Sequence, residues 1–238
     1  YVLLEANSAP GRSNLLFAKQ AYAVATVFRS AESAFPGAKT VRTGLPIRRE
    51  LRAEATKGRL EGPDLVLVTG GSQGSQFLNL HVPEAAASMK RNGLRWLHVA
   101  GKFHADEMNE RTGGLLNYKV RPFLEASEMA EAYRAASVIV CRSGGSLAEV
   151  ALFGIPSVLV PLPTAAADHQ TKNAQEFVAM GAAVLHSQEA SSAERLACDI
   201  GSWLDEPRKR EAARRALAEF DVQNATERVW TLIEAAER

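Results

Sequence analysis

The residues from Val138 to Asn173 can handle a phosphorylated ligand. They read V-I-V-C-R-S-G-G-S-L-A-E-V-A-L-F-G-I-P-S-V-L-V-P, with D-H-Q-T-K-N at 168–173. Gly144, Gly145 and Ser146 form a small-residue turn that opens a helix. Free backbone N–H groups and the positive end of a helix dipole then face outward, an arrangement that attracts phosphate. Glu149 lies about one turn further on, where a carboxylate can accept hydrogen bonds from the two ribose hydroxyls of a nucleotide. Asp168, His169 and Gln170 add polar groups after the next strand. A glycine turn alone signifies only an ordinary strand-helix corner with a solvated Glu. The turn, the carboxylate and the D-H-Q cluster together point to a nucleotide-sugar site.

The elements that must hold these groups are legible around them. Ser137 to Cys141 and Ser157 to Val160 are short apolar runs of the kind that form buried strands, and Leu147 to Phe153 has helical spacing stopped by Gly154 and Pro156. Further runs predict strands at 65–69, 95–100, 118–120 and 182–185. Helices are predicted from 75 to about 90 and at 105–112, 127–135, 169–180, 191–203, 206–219 and 224–237. Strands alternating with helices of this length imply a parallel sheet covered on both faces, whose ligands sit at the carboxyl ends of the strands. Upstream, strands at 1–4, 23–28 and 39–42 and a helix over 14–22 capped by Ser13 give βαββ material without a complete core. The charged stretch Arg49 to Gly62 reads as an exposed helix plus linker ending at Pro63. The expected division is 1–58 as the last part of an N-terminal domain and 59–221 as a nucleotide-sugar-binding domain. Residues 222–238 would be a C-terminal helix packing back toward the first part.

A second glycine loop, Gly70-Gly-Ser-Gln-Gly74, joins a strand to a helix at the same predicted sheet edge, with Ser72 and Gln73 offering polar contacts. It is neither G-x-G-x-x-G nor a P-loop, which argues against a dinucleotide dehydrogenase and an NTPase. Arg48, just before the domain boundary, can neutralise a diphosphate in a cleft, although a lone Arg is more often a solvated surface residue. The histidines form no spaced pair, so no metal site is expected, and no G-x-S-x-G elbow marks a hydrolase. Trp96, Trp203 and Trp230 read as core or helix-packing residues, and Arg208 to Arg215 as a solvated face. The 238 residues are 46% hydrophobic and 23% charged with formal net charge +1, which leaves no nucleic-acid footprint. Two cysteines, Cys141 and Cys198, are too few for a disulfide framework and read as reduced and intracellular. No secretory leader is visible, and the chain opens at Tyr1 inside a predicted strand.

Taken together, these motifs resemble the MurG family of UDP-N-acetylglucosamine transferases, which make lipid II for peptidoglycan. Leu4-Glu-Ala-Asn7 with A-P-G-R-S-N resembles the family's H-E-Q-N-x-x-x-G-x-x-N, Leu4 and Ala6 departing from it. Thr43-Gly-Leu-Pro-Ile-Arg48 resembles G-N-P-V-R. Leu67 to Ser75 follows the G-G-S-Q-G-A loop, and Asn79 continues it. Cys141-Arg-Ser-Gly with Leu147-Ala-Glu149 resembles C/S-R-A/S-G-A-x-T-x-A-E, one residue shorter. His169-Gln-x-x-Asn-Ala174 and Asn224-Ala-Thr-Glu-Arg228 match later segments.

The resemblance implies a two-domain α/β GT-B fold with the donor, UDP-N-acetylglucosamine, in the cleft. By motif, Glu149 would hold the ribose, the amides of 144–146 the diphosphate, and Leu124 the uracil, with Arg48 near the phosphates. Asn7, Ser72, His169 and Gln170 would face the sugar or its leaving bond. Turnover would be an inverting displacement by the 4-hydroxyl of undecaprenyl-pyrophosphoryl-MurNAc-pentapeptide, with no metal or other cofactor required. It would take place peripherally on the cytoplasmic face of the bacterial plasma membrane. The family's base lies in a G-x-G-G-H loop that this sequence lacks. No catalytic residue is therefore assigned in the chain, and about half a domain with the acceptor site is expected upstream. Two alternatives remain: another GT-B transferase acting on a glycolipid, and a catalytically inactive UDP-sugar-binding module.

Overall fold

Two parallel sheets account for the strands of the computed structural model, which describes residues 1–237; residue 238 of the predicted terminal segment lies outside it. The first sheet holds β1 (Val2–Glu5), β2 (Ala23–Thr26) and β3 (Thr40–Arg42) in that order. The second holds β4 (Leu65–Thr69), β5 (Arg95–Val99), β6 (Tyr118–Arg121), β7 (Val138–Cys141), β8 (Ser157–Leu159) and β9 (Ala183–Leu185). The helices are α1 (Arg12–Phe17), α2 (Arg49–Ala55), α3 (Gln76–Ser88), α4 (Ala105–Thr112), α5 (Ala126–Ala135), α6 (Leu147–Leu152), α7 (His169–Ala179), α8 (Ala193–Leu204), α9 (Pro207–Phe220) and α10 (Ala225–Ala236).

The second sheet runs β6-β5-β4-β7-β8-β9, all parallel. This is the doubly wound order in which the chain starts at the centre, works outward and then returns to build the other half. It creates a switch point between β4 and β7, where the loops leaving two adjacent strands diverge and open a crevice. The sequence dictates the centre: every residue of L-V-L-V-T in β4 and V-I-V-C in β7 is buried, as strands covered on both faces must be. α3 packs against α8, and α2 against α5 and α6. α5 starts at a capping box in which Glu125 and Glu128 each bond the other's backbone N–H.

The first sheet has little core of its own. Val24 packs with Ala18 and Phe35, while Ala23 and Ala25 are covered by Leu232 of α10. Val27 and Phe28 leave the sheet and enter the large core, where the Phe28 ring lies 5.2 Å from Phe220 and 6.4 Å from Phe177. The two sheets are thus stitched by aromatic packing from one side and by a returning helix from the other.

Several local expectations are corrected. The predicted 14–22 helix is a six-residue α1 entered from Gly11 without a side-chain cap, followed by a 3-10 turn over Ala18–Gln20. The 49–62 stretch is not simply exposed: Leu51 is fully buried, and Arg52 makes a bidentate pair with Asp221 at 2.8 and 3.1 Å. Trp96 and Trp203 are core residues, but Trp230 is 59% exposed and bonds Glu234 one turn away. On the Arg208–Arg215 face, Arg210 turns inward to bond the Trp203 and Leu204 carbonyls, satisfying the otherwise orphaned end of α8.

Candidate functional site

The two glycine loops meet at the switch point. A cleft of about 640 Å3 is lined by residues of the 70–77 loop, by Arg142 and Gly144 to Ser146, and by Leu162, Gln170 and Gln188. That volume suits a small organic ligand. The first loop leaves β4 through Gly70 and turns at Gly74. A Cβ on Gly74 would sit 2.1 Å from the Ala100 carbonyl oxygen, and its φ of +77° is one that residues with side chains rarely adopt. Glycine is therefore required there by backbone packing against the end of β5. Ser75 then caps α3, its hydroxyl accepting from the Leu78 N–H at 3.3 Å.

Arg142 fixes one loop against the other. Its Nη2 donates to Ser75 Oγ at 2.7 Å, and its Nη1 donates to the Val160 and Pro161 carbonyls at 2.9 and 3.1 Å. One guanidinium thereby ties the exits of β4, β7 and β8 together, and burial holds its pKa below the ordinary Arg value. Gln170 and Gln188 close the rim: Gln170 Oε1 accepts from Leu162 N at 3.0 Å, and Gln188 Nε2 donates to Pro161 O at 2.7 Å. Gln188 stands on a loop held from beneath. The fully buried His186 lies 2.7 Å from Asp199 Oδ2 through Nδ1 and 2.7 Å from Ser191 Oγ through Nε2. A carboxylate oxygen accepts, so Nδ1 carries a proton and donates to Asp199.

Of the residues singled out from sequence, Gly144, Gly145, Ser146 and Gln170 line this cleft, whereas Ser72 and Gln73 sit exposed at the loop tip beside it. The structure supplies the surroundings of three further positions. Glu149 is not a free surface carboxylate. Its Oε2 accepts from the Tyr133 hydroxyl at 2.9 Å, and Arg48 Nη2 lies 3.9 Å from its Oε1. Tyr133 is buried, and burial, reinforced by the Glu149 charge, raises its pKa well above the ordinary phenol value. The Leu124 side chain is in the core, and the exposed neighbour is Phe123. α6, which the turn opens, has only six residues, so the anion-binding capacity of 144–146 rests on its local N–H groups more than on a long dipole.

Asn7 does not stand open to the cleft either. Its Oδ1 accepts from Asn173 Nδ2 at 3.0 Å. Asn173, buried in α7, also donates to the Ser143 carbonyl at 3.1 Å and accepts from Ser8 N and Ser8 Oγ at 2.8 and 3.0 Å. His169, at the start of α7, is half-buried. Its Nδ1 is 2.8 Å from the Ala166 carbonyl, so Nδ1 carries a proton and donates there. Ala167 and Asp168 before it are both left-handed, at φ 52° and 54°, an uncommon pairing for residues with side chains.

Sequence reasoning missed Glu5, Arg142, Asn173 and Gln188 as functional positions. Glu5 is buried, and its carboxylate gathers Asn7 N at 2.9 Å, Gly11 N at 2.9 Å and Asn14 Nδ2 at 2.8 Å, so it shapes the whole 5–14 loop. The spacing E-x-N-x-x-x-G-x-x-N was the available signal, since one acid followed by three donors can fold into one turn.

A doubly wound parallel sheet whose glycine loops open a cleft at its switch point, faced by a second parallel sheet, defines a GT-B glycosyltransferase architecture. The chain belongs to glycosyltransferase family 28, whose C-terminal domain model matches residues 65–229. It is 37% identical over 236 residues to the UDP-N-acetylglucosamine–N-acetylmuramyl-(pentapeptide) pyrophosphoryl-undecaprenol N-acetylglucosamine transferase of Tolumonas auensis. That match covers 96% of this chain and 64% of the relative. The Xanthomonas campestris protein of the same name is 39% identical, with 96% of this chain and 53% of the relative covered. The chain therefore spans roughly half to two-thirds of the length of the curated relatives it matches. Among solved structures, MurG of Acinetobacter baumannii superimposes with a TM-score of 0.80 at 28% identity, covering 98% of this chain and 67% of that one.

Proposed function

We propose that this chain is the donor-binding part of an inverting transferase that moves N-acetylglucosamine from UDP-N-acetylglucosamine to the 4-hydroxyl of a lipid-linked N-acetylmuramoyl-pentapeptide. The observation that carries the reading is the convergence of both glycine loops on one cleft at the β4/β7 switch point, clamped by Arg142. In this reading the amides of 144–146 take the donor diphosphate, and Gln170 and Gln188 present side-chain amides to the sugar. Glu149 offers Oε1 to the ribose while Oε2 keeps Tyr133. Backbone loops at 123–125 meet the uracil. Ser72 and Gln73, on a loop tip beside the cleft, contact the sugar once it is seated.

When the acceptor hydroxyl attacks the anomeric carbon, the bond to the UDP oxygen breaks and negative charge grows on the diphosphate. The fixed N–H groups and Arg48 stabilise that charge, so the reaction needs no metal or other cofactor. A general base must take the hydroxyl proton. We assign that base and the acceptor site to the part of the relatives' length outside the match, and the reaction to the cytoplasmic face of the plasma membrane. Calorimetry with UDP, ADP and GDP tests the donor site: UDP should bind more tightly than either purine diphosphate, and equal affinity for all three would sink the assignment. A radiolabel transfer assay with a lipid-linked acceptor should show no turnover by this chain alone.

A further inference from the structure

A second pocket, of about 530 Å3, lies away from the donor cleft, between the first sheet and the returning helix α10. Arg29 and Arg42 line it from the β2 and β3 side. Asn224 and Arg228 line it from the start of α10, with Glu32 and Asp221 as its carboxylates. Asp221 is already committed, since both of its oxygens accept from Arg52. That leaves Glu32 facing three guanidinium groups.

Those three are under-partnered. Arg42 Nη2 donates to the Phe220 carbonyl at 2.7 Å and its guanidinium lies over the Phe220 ring, yet its Nε is buried with no acceptor among the described residues. Arg228 donates to Asn224 Oδ1 at 2.9 Å and to the Arg42 carbonyl at 3.2 Å, neither of which is a charge. The Arg29 side chain makes no hydrogen bond to the described residues. Burial, and then the positive charge of Arg29, lower the Arg42 pKa. Glu32 opposes them, and Arg228 adds to the lowering. Asn224 gives its side-chain oxygen to Arg228 and so does not cap α10, whose first turn points its positive end at the same space.

Like charges gathered at this cost need a counter-charge, and guanidinium forks match the oxygens of a phosphate group better than they match chloride or one carboxylate. We propose that the pocket formed by Arg29, Arg42 and Arg228 binds the phosphate group of a free phosphate compound or of a lipid headgroup. A bound phosphate would bridge the first sheet to α10, adding to the packing of Leu232 and Val229 on that sheet and the bond from Arg228 to Arg42. The site is separate from the donor cleft and does not depend on the donor reading.

The test is calorimetry of the full chain with inorganic phosphate and with pyrophosphate at constant ionic strength, in the presence of excess UDP. A parallel arm measures co-sedimentation with phosphatidylglycerol vesicles against phosphatidylcholine vesicles. Expected is one-to-one binding of pyrophosphate or selective sedimentation with phosphatidylglycerol, the first marking a free compound and the second a headgroup. Either should weaken at least tenfold in Arg29→Gln/Arg228→Gln. Arg29→Gln alone serves as a second variant, since that side chain holds nothing in place, and it should weaken binding in the same direction. Absence of both signals in the parent, or undiminished binding by folded Arg29→Gln and by the double variant, would overturn the proposal.

Discussion

Replacing Glu149 by alanine should cost both stability and nucleotide affinity, and the two losses can be separated. The Tyr133 hydroxyl is buried and donates to Glu149 Oε2 at 2.9 Å. A hydrogen bond to a charged group contributes about 1.5–3 kcal/mol, and an orphaned buried donor is costly in itself. The Glu149 side chain is 25% exposed, so water reaches part of it and the lower end applies. A carboxylate in the first turn of a helix adds roughly 0.3–1 kcal/mol. Arg48, 3.9 Å away with a side chain 57% exposed, adds close to nothing. The sum is about 2 kcal/mol, which for a chain of this size is a fall in Tm of roughly 4–8 °C. Tyr133→Phe removes the donor as well as the bond and should cost about 1 kcal/mol. In that background Glu149→Ala should cost only the dipole contribution, so urea denaturation of the four proteins gives a coupling energy of about 1.5 kcal/mol. If Glu149 also holds the ribose, UDP should bind Glu149→Ala on the order of 10- to 100-fold more weakly, about 1.4–2.7 kcal/mol. Tyr133→Phe should bind UDP almost as the parent does, and the Glu149 variant should cease to distinguish UDP from 2′,3′-dideoxy-UDP. Two results would refute the reasoning: an alanine variant as stable as the parent, or an equal cost of Glu149→Ala with and without the Tyr133 hydroxyl.

Gly74→Ala should lose the donor cleft, because the new Cβ meets the Ala100 carbonyl at 2.1 Å; weakened UDP binding and a lowered Tm are expected, and an unchanged variant would mean the loop moves freely. Burial lowers the His98 pKa from 6.5 to about 3, so between those values the unfolded chain binds more protons. The stability it contributes is full above pH 6.5 and falls toward pH 3 by up to about 1.4 kcal/mol per unit; His98→Gln should flatten a plot of urea midpoint against pH over that window. Asp199→Asn should release His186 and with it the loop carrying Gln188, which predicts weaker binding of UDP-N-acetylglucosamine with little change for UDP itself; equal loss for both ligands would argue against a sugar-side role for Gln188.

Much of the second sheet was legible because strands covered on both faces are written as unbroken apolar runs, and L-V-L-V-T and V-I-V-C admit little else. The glycine loops were legible for a related reason: a backbone that passes within contact of another backbone cannot carry side chains. Partners distant in sequence were not legible. Arg142 reaches Ser75 across 67 positions and Asn173 reaches Ser8 across 165, and no local pattern records such a meeting. Nor does a motif record which way a residue's side chain points. Leu124 sits in such a motif, and its side chain fills the core. Trp230 shows the limit of residue type as a guide, since a large aromatic was assigned to packing and lies mostly in solvent.

Asn173 connects the site to the rest of the molecule. A buried amide can make four hydrogen bonds, two as acceptor and two as donor, and Asn173 makes all four. Oδ1 takes Ser8 N and Ser8 Oγ, and Nδ2 gives to Asn7 Oδ1 and the Ser143 carbonyl. Aspartate in its place would supply no donors, and leucine would leave the Ser143 carbonyl and the Ser8 groups without this partner. The residue therefore specifies one orientation of the 5–14 loop against the 142–146 loop. Gln170, three residues earlier on the same face of α7, lines the switch-point cleft beside Gly144. A ligand that orders Gly144 and Gln170 thus presses on the same loop and helix that hold the first sheet in place. The glycine loop that would bind the donor and the clasp that would aim the other domain share the Ser143–Gly144 peptide, so neither can shift without the other feeling it.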